Sequence, residues 1–359
     1  MSSGDYNSDQ GSGWTAQASG AGDGFGDGFG DGSGEGSGGW TQDDFSVEAS
    51  EDFSRFDSER HVQVLGANLG KHSIKDDVRT GAEVQAFDVD EERDAEVGIE
   101  LSKFNLNYVH NKTDQFKSCA TLEERLGGPV DPKTLPAKVD LRADLGGVIY
   151  DQGVIGSCVS NTAAYGIRQV YKKRTGKTFL PSRLFIYYTG RVSHGLPANV
   201  DTGLTISEGY EAVDRFSAPD EALWKYDVSQ WKTKPSAQAY SAALKMPDFE
   251  FVKVSSDLNQ LKKCLADGYF ISFGAALFQS FMSAQVARTG NVPIPDVNKE
   301  KRVGGHAMTL VGFDDAKKVF IVANSWSSKW GDKGCCYIPY SLICNRNLVS
   351  DFCSPRTFK

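Results

Sequence analysis

The spacing of apolar residues divides the chain before any residue is given a role. From about residue 249 they fall in short alternating or continuous runs, "FEFVKV", "YFISFGAAL", "HAMTLVGFD", "KVFIVANSW" and "CCYIPY", which predict β-strands. One interruption, "DLNQLKKCLADG", has helical spacing and stops at Gly268. Upstream the period is longer. In "SCVSNTAAYGIRQVYKKRTGK" the apolar positions Val159, Ala163, Ile167 and Val170 recur at helical spacing. Lys172, Lys173 and Arg174 suit a last turn, and Gly176 suits a stop. "PSRLFIYYTGR" and "ISEGYEAVDRF" predict further helices. A helical part over 135–248 and a strand-rich part over 249–359 predict an α+β fold of two lobes with a cleft between them.

The pattern changes again towards the N-terminus. "VGIELSKFNLNYVHNKTD" alternates, "SCATLEERLGG" reads as a helical turn ended by Gly127 and Gly128, and "PVDPKTLP" as an extended connector. Residues 97–134 are thus expected to form a distinct segment ahead of the globular part at 135–359. Residues 1–96 are polar and acidic, and within them "GDGFGDGFGDGSGEGSGG" repeats at a short period. With so little apolar mass they are expected to be a disordered tail. A calcium-binding glycine–aspartate repeat would need a nine-residue period.

Composition removes several classes of function. A formal charge of −8 without a Lys/Arg-rich face excludes nucleic acid as the expected partner. No apolar run reaches the length of a membrane span. "MSSGDYNSDQGSGW" lacks the basic and apolar regions of a signal peptide. The seven cysteines form no CxxC pair, so neither a metal nor any other cofactor is expected, and the thiols are read as reduced.

The candidate chemistry centres on "DQGVIGSC". Cys158 opens the predicted helix, where the helix N-terminus favours a thiolate. Of five histidines, His306 alone stands where a strand begins inside the globular part, after Gly304 and Gly305. His194 lies in the polar stretch "RVSHGLPAN" and reads as a solvated loop residue. Asn324 in "VANSWSSKWGDKG" stands at the end of the next strand, where it can hold the imidazole tautomer, with Trp326 and Trp330 as covers. Gln152 and the Cys158 backbone N–H are candidates for an oxyanion hole, and Gly153 and Gly156 permit the tight loop.

"DQGVIGSC", "GGHAMTLVGF" and "NSWSSKWGDKG" together resemble the three signature blocks of papain-like cysteine peptidases, over roughly residues 135–355. "PSRLFIYY", "VGFDD" and "YIPYSLICNRNLVSDF" are most similar to members from bacteria and large DNA viruses. The resemblance implies a papain-like fold and a thiol endopeptidase: Cys158 as nucleophile, His306 as base, Asn324 as its orienter, Gln152 and Cys158 as oxyanion donors. Three positions depart from the family pattern. Ile155 replaces a disulfide-forming cysteine, Val159 an aromatic residue, and Ser327 the glycine of Asn-Ser-Trp-Gly. The lost disulfide suits an intracellular or virion-packaged enzyme.

The expected partners are polypeptide substrates and the chain's own segment 97–134, read as an inhibitory pro-segment lying along the cleft. Cys119 within it is a candidate to pair with Cys158. The expected cleft wall is Gly304, Gly305 and Trp326, with room for a bulky apolar substrate residue and no charge. The competing reading is a catalytically inactive papain-fold binding protein.

Overall fold

The computed structural model describes residues 101–110 and 119–358. The expected acidic tail, residues 1–96, lies outside the described residues, as do 97–100 and 111–118 of the expected pro-segment. Helix α1, Leu122–Leu126, lies within the expected pro-segment; Thr121 and Glu124 form a capping box, and Gly127 ends it at φ 72°. The connector after it contains one 3-10 turn, Pro132–Thr134, capped by the Asp131 carboxylate.

Strand β1, Lys138–Asp140, is short and leads into α2, Cys158–Thr175. Gly176 ends α2 in the left-handed region at φ 70°, with Lys172, Lys173 and Arg174 in its last turn. The expected stripe of four apolar residues is too narrow. Every residue of α2 from Cys158 to Val170 is buried. Small residues make this possible: a Cβ on Gly166 would stand 2.7 Å from the Pro355 ring. Helix α3, Arg183–Ser193, is capped by Ser182, and α4, Ile206–Phe216, by a capping box of Thr205 and Glu208. Helices α5 (Ala237–Ala243), α6 (Leu258–Ala266), α7 (Ala284–Thr289) and α8 (Tyr340–Ile343) complete the set among the described residues.

The remaining strands are β2 (Phe249–Lys253), β3 (Ile271–Phe278), β4 (Arg302–Asp314), β5 (Val319–Ala323), β6 (Cys335–Pro339) and β7 (Val349–Phe358). They form one sheet in the order β2-β7-β3-β4-β5-β6, with β1 on the far end of β4. Each pairing is antiparallel. Helices cover one face and a second apolar core the other. Met308, Leu310, Phe320 and Val322 enter the core shared with Trp326 and Trp330, whereas Ala307, Val311, Ile321 and Ala323 enter the core around α2. With both faces covered, β4 and β5 read as nearly continuous apolar runs.

His306 lies four residues inside β4, opposite Ala275 of β3, rather than at its start. His194, expected as a solvated loop residue, is a half-buried turn residue with partners at both ring nitrogens. It follows the last turn of α3, its Nδ1 2.7 Å from the Gly190 carbonyl and its Nε2 2.9 Å from Glu211. No described helix is long and apolar enough to cross a membrane.

Candidate active site

The first turn of α2 faces the middle of β4. Cys158 is fully buried, with the backbone N–H of Ala307, next to His306, near enough to favour its thiolate. Burial pushes the Cys158 thiol up to about 12, against the opposing pull of the Ala307 and Val159 N–H groups. His306 is also fully buried. Burial lowers it to about 4, and its bond to Asn324 opposes the fall.

The protonation pattern follows from the partners. The Ser325 N–H donates to Asn324 Oδ1 at 2.8 Å, which identifies that atom as the amide oxygen. His306 Nε2 lies 2.8 Å from the same oxygen and must therefore carry the hydrogen. That leaves the lone pair of the neutral ring on Nδ1, which has no hydrogen-bond partner. Trp326 lies over the imidazole, its ring centroid 5.0 Å away, and is itself fully buried.

Gln152 is held from three sides. Its N–H donates to the Ser325 carbonyl at 2.9 Å, and its Oε1 accepts from Ser325 Oγ at 2.8 Å. Its carbonyl accepts from Tyr226 Oη at 2.9 Å. With Oε1 anchored, Nε2 is the donor end of the side chain, and it donates to the Ile155 carbonyl of its own loop at 3.2 Å. Gly153 makes the turn at φ 62°. Arg183 braces the same loop: its guanidinium lies 3.7 Å over the Tyr226 ring and 4.4 Å over the Tyr150 ring. It donates to the Asp151 carbonyl at 3.1 Å and pairs with Glu221 at 2.8 Å.

Residues 104–109 lie against this constellation. Phe104 stacks on Trp326 with centroids 4.6 Å apart and planes 10° apart. The Asn105 carbonyl accepts from Gln152 Nε2 at 3.1 Å. Gly305 donates to the Leu106 carbonyl at 3.3 Å, and its own carbonyl accepts from the Tyr108 N–H at 3.0 Å. The Val109 N–H continues the ladder onto the Leu204 carbonyl at 3.2 Å. Asp201 ties the segment to the loop, because its carboxylate accepts from both Asn105 Nδ2 and the Gly156 N–H.

The expected site residues Gln152, Cys158, Gly304, Gly305, His306, Asn324 and Trp326 are thus brought together. The expected room at Gly304 and Gly305 is taken by main chain: a Cβ on Gly305 would stand 2.2 Å from the Tyr108 carbonyl oxygen. The expected absence of charge is also corrected, since the carboxylates of Asp201 and Asp351 both meet the segment. Cys119 does not reach Cys158; both are free thiols, and Cys119 lies near Cys353.

Sequence reasoning missed Tyr108, Arg183, Asp201, Gly274 and Asp351. Two carried a signal. Gly274 interrupts a strand of larger residues, which marks close approach by another group, and Arg183 is a charge at the start of an apolar helix. Asp201 and Asp351 resemble any polar residue between apolar runs.

A profile of papain family cysteine proteases matches residues 135–349. The chain belongs to this family. Over 267 residues this papain-family chain is 35% identical to an uncharacterised peptidase C1-like protein of Acanthamoeba polyphaga mimivirus, covering 69% of this chain and 85% of that one. It is similar to the solved structure of xylellain, a cysteine protease from Xylella fastidiosa. There the identity is 29% and the TM-score 0.61, over 72% of this chain and 97% of xylellain. Digestive procathepsin L 3 of Tenebrio molitor larval midgut has the same fold, with a TM-score of 0.53 and 15% identity over 74% of this chain and 89% of that one.

The departures from the papain-family pattern have structural counterparts. Ser327 adopts the left-handed backbone, φ 66°, that suits the glycine it replaces. Ile155 is buried in the core around α2. Val159 packs on Gly209, where a Cβ would stand 2.5 Å from a Val159 methyl.

Proposed function

We propose that this papain-family protease is a thiol endopeptidase, held inactive by its own residues 101–110 until they leave the cleft. Cys158 passes its proton to His306 Nδ1 and attacks the carbonyl carbon of a peptide. Gln152 Nε2 and the Cys158 N–H hold the resulting oxyanion. The imidazolium then protonates the leaving amine, and the neutral ring activates the water that cleaves the thioester. Asn324 keeps the imidazole in the tautomer that leaves Nδ1 free.

One observation carries this reading. His306 has Nε2 on Asn324 and an unpartnered Nδ1, while the amide donor of Gln152 already holds a main-chain carbonyl, that of Asn105. The same observation favours a blocked enzyme over an inactive binding protein. Cys158 and His306 are each shifted towards the neutral form by burial, and Leu101, Phe104 and Tyr108 of the segment are buried alongside them.

Mass spectrometry of the purified full chain, alone and with an unfolded protein substrate, tests the proposal. The wild-type chain is expected to cut both the substrate and its own region before residue 135, and Cys158→Ala neither. Hydrolysis retained in Cys158→Ala would remove the assignment, and equal labelling of Cys158 with the segment seated or released would remove the zymogen.

A further inference from the structure

The main chain on either side of the "DQGVIGSC" loop is held by a chain of side chains that has no place in the mechanism above. The Ser157 carbonyl accepts three hydrogen bonds: from the Asn161 N–H at 3.1 Å, from Asn161 Nδ2 at 2.9 Å and from Ser160 Oγ at 2.9 Å. That carbonyl and the Cys158 N–H belong to one planar peptide group, so holding the oxygen aims the N–H. At the other end of the loop, the Gln152 carbonyl accepts from Tyr226 Oη, which uses the one hydroxyl hydrogen of Tyr226. Ser157 Oγ, bonded to the same phenol oxygen, is therefore the donor there and accepts in turn from Asn161 Nδ2 at 3.2 Å. Asn161 Oδ1 accepts from Arg183 Nη1 at 3.0 Å, and the same nitrogen donates to the Asp151 carbonyl. The path closes on itself: it leaves Arg183, passes through Asn161, Ser157 and Tyr226 to Gln152, and returns through Asp151. Ser157 and Asn161 are fully buried. The donors point in one sense, away from a buried guanidinium paired with Glu221, so each bond polarises the next.

We propose that Arg183 is a positioning residue: acting through Asn161, Ser157 and Tyr226, it sets the two oxyanion donors, Gln152 Nε2 and the Cys158 N–H, at a fixed separation. The inference rests on the peptidase reading. The hydrogen bonds of the circuit meet main chain at Asp151, Gln152 and Ser157, the positions that flank the loop, rather than the thiol or the imidazole. Tyr226 holds the Gln152 end and Asn161 the Cys158 end. Arg183 joins them, its guanidinium lying over the Tyr226 and Tyr150 rings. A planar, permanently charged fork suits this junction, since it stacks on the rings while it donates at its edge. Donors fixed before charge develops stabilise an oxyanion without reorganising, and a displacement of about 1 Å costs on the order of 100-fold in rate.

The test adds changes to a full-length Phe104→Ala/Tyr108→Ala parent. Tyr226→Phe removes the bond to Gln152 and keeps the ring beside the guanidinium. Asn161→Asp keeps a partner for Arg183 and removes the side-chain donor to Ser157. Arg183→Met, combined with Glu221→Gln so that no carboxylate is left unpaired, removes the junction. Three quantities are read: kcat and KM on a peptide anilide, the affinity of a peptide aldehyde, and the rate at which iodoacetamide alkylates Cys158. Addition of Cys158 to the aldehyde carbon places an oxyanion between the two donors, whereas alkylation expels iodide and forms none. All three variants are expected to lose about 10- to 100-fold in kcat and in aldehyde affinity together, with KM and alkylation within about threefold of the parent. A merely structural brace would move alkylation as well. Alkylation falling with kcat overturns the proposal, as do unchanged kcat and aldehyde affinity in Tyr226→Phe and Asn161→Asp. If the parent cleaves no peptide, the peptidase reading fails and aldehyde capture alone decides the positioning: the same loss in the variants upholds it, and equal capture, or none, overturns it.

Discussion

The most direct perturbation of the proposed blocked state is Phe104→Ala. Phe104 is 5% exposed and stacks on Trp326, the ring that also lies over His306. When the segment leaves, the phenyl group returns to water. Its burial contributes about 1.5–3 kcal/mol, and the stacked pair adds about 0.5–1.5 kcal/mol. Taking about 3 kcal/mol, the substitution raises the released fraction on the order of 100-fold, since about 1.4 kcal/mol is tenfold. The assay is the rate at which a thiol-directed epoxide labels Cys158 in the full chain, followed by peptide mass mapping. If release precedes labelling, that rate rises by the same factor. Leu126→Ala, at a side chain 38% exposed on α1, serves as a control and should change the rate by no more than about threefold. Mapping separates release from unfolding, because unfolding exposes all seven cysteines to a general alkylating agent. A Phe104→Ala rate within threefold of wild type would refute the claim that this ring holds the cleft shut.

Three further outcomes follow from the same geometry. Gly274→Val places side-chain atoms where the Tyr108 ring lies, so it should speed Cys158 labelling in the full chain; unchanged labelling would show that the ring does not occupy that space. Asn324→Ala removes the acceptor that holds His306 Nε2 and is expected to lower kcat by about 100-fold with a smaller change in KM, a split that steady-state kinetics on Phe104→Ala chains resolves. His306 is held at about 4 against an ordinary 6.5, so the unfolded imidazole binds a proton between those values that the native one does not. Stability carried by the neutral ring is therefore intact above pH 6.5 and is lost as pH falls towards 4. Denaturant midpoints of the full-length Cys158→Ser chain should show this loss, and adding His306→Gln should remove that part of it; identical pH dependence in both chains would contradict the buried neutral imidazole.

The linear sequence determined the chemistry and most of the elements. Helical spacing is a local property, so α2, α3, α4 and α6 could be located from Val159 to Val170, "PSRLFIYYTGR", "ISEGYEAVDRF" and "DLNQLKKCLADG". "DQGVIGSC", "GGHAM" and "NSW" carried the candidate reacting groups in order, because each block joins a polar side chain to the small or apolar residues that position it. Strand β7 escaped, since "VSDFCSPRTF" includes Pro355 and has no alternation. Its place between β2 and β3 depends on partners about a hundred residues away.

What only the tertiary structure decided is how the cleft is filled. Contacts of Asn105 with Gln152, of Phe104 with Trp326 and of Tyr108 with Asp351 join positions separated by 47 to 243 residues. No local pattern encodes such pairings; they exist because folding brings β4, β7 and the first turn of α2 to one place. The same reason explains Asp351. In sequence it is one of many carboxylates, and it meets Tyr108 only where the left-handed turn of β7 comes up to a ring lying over Gly274.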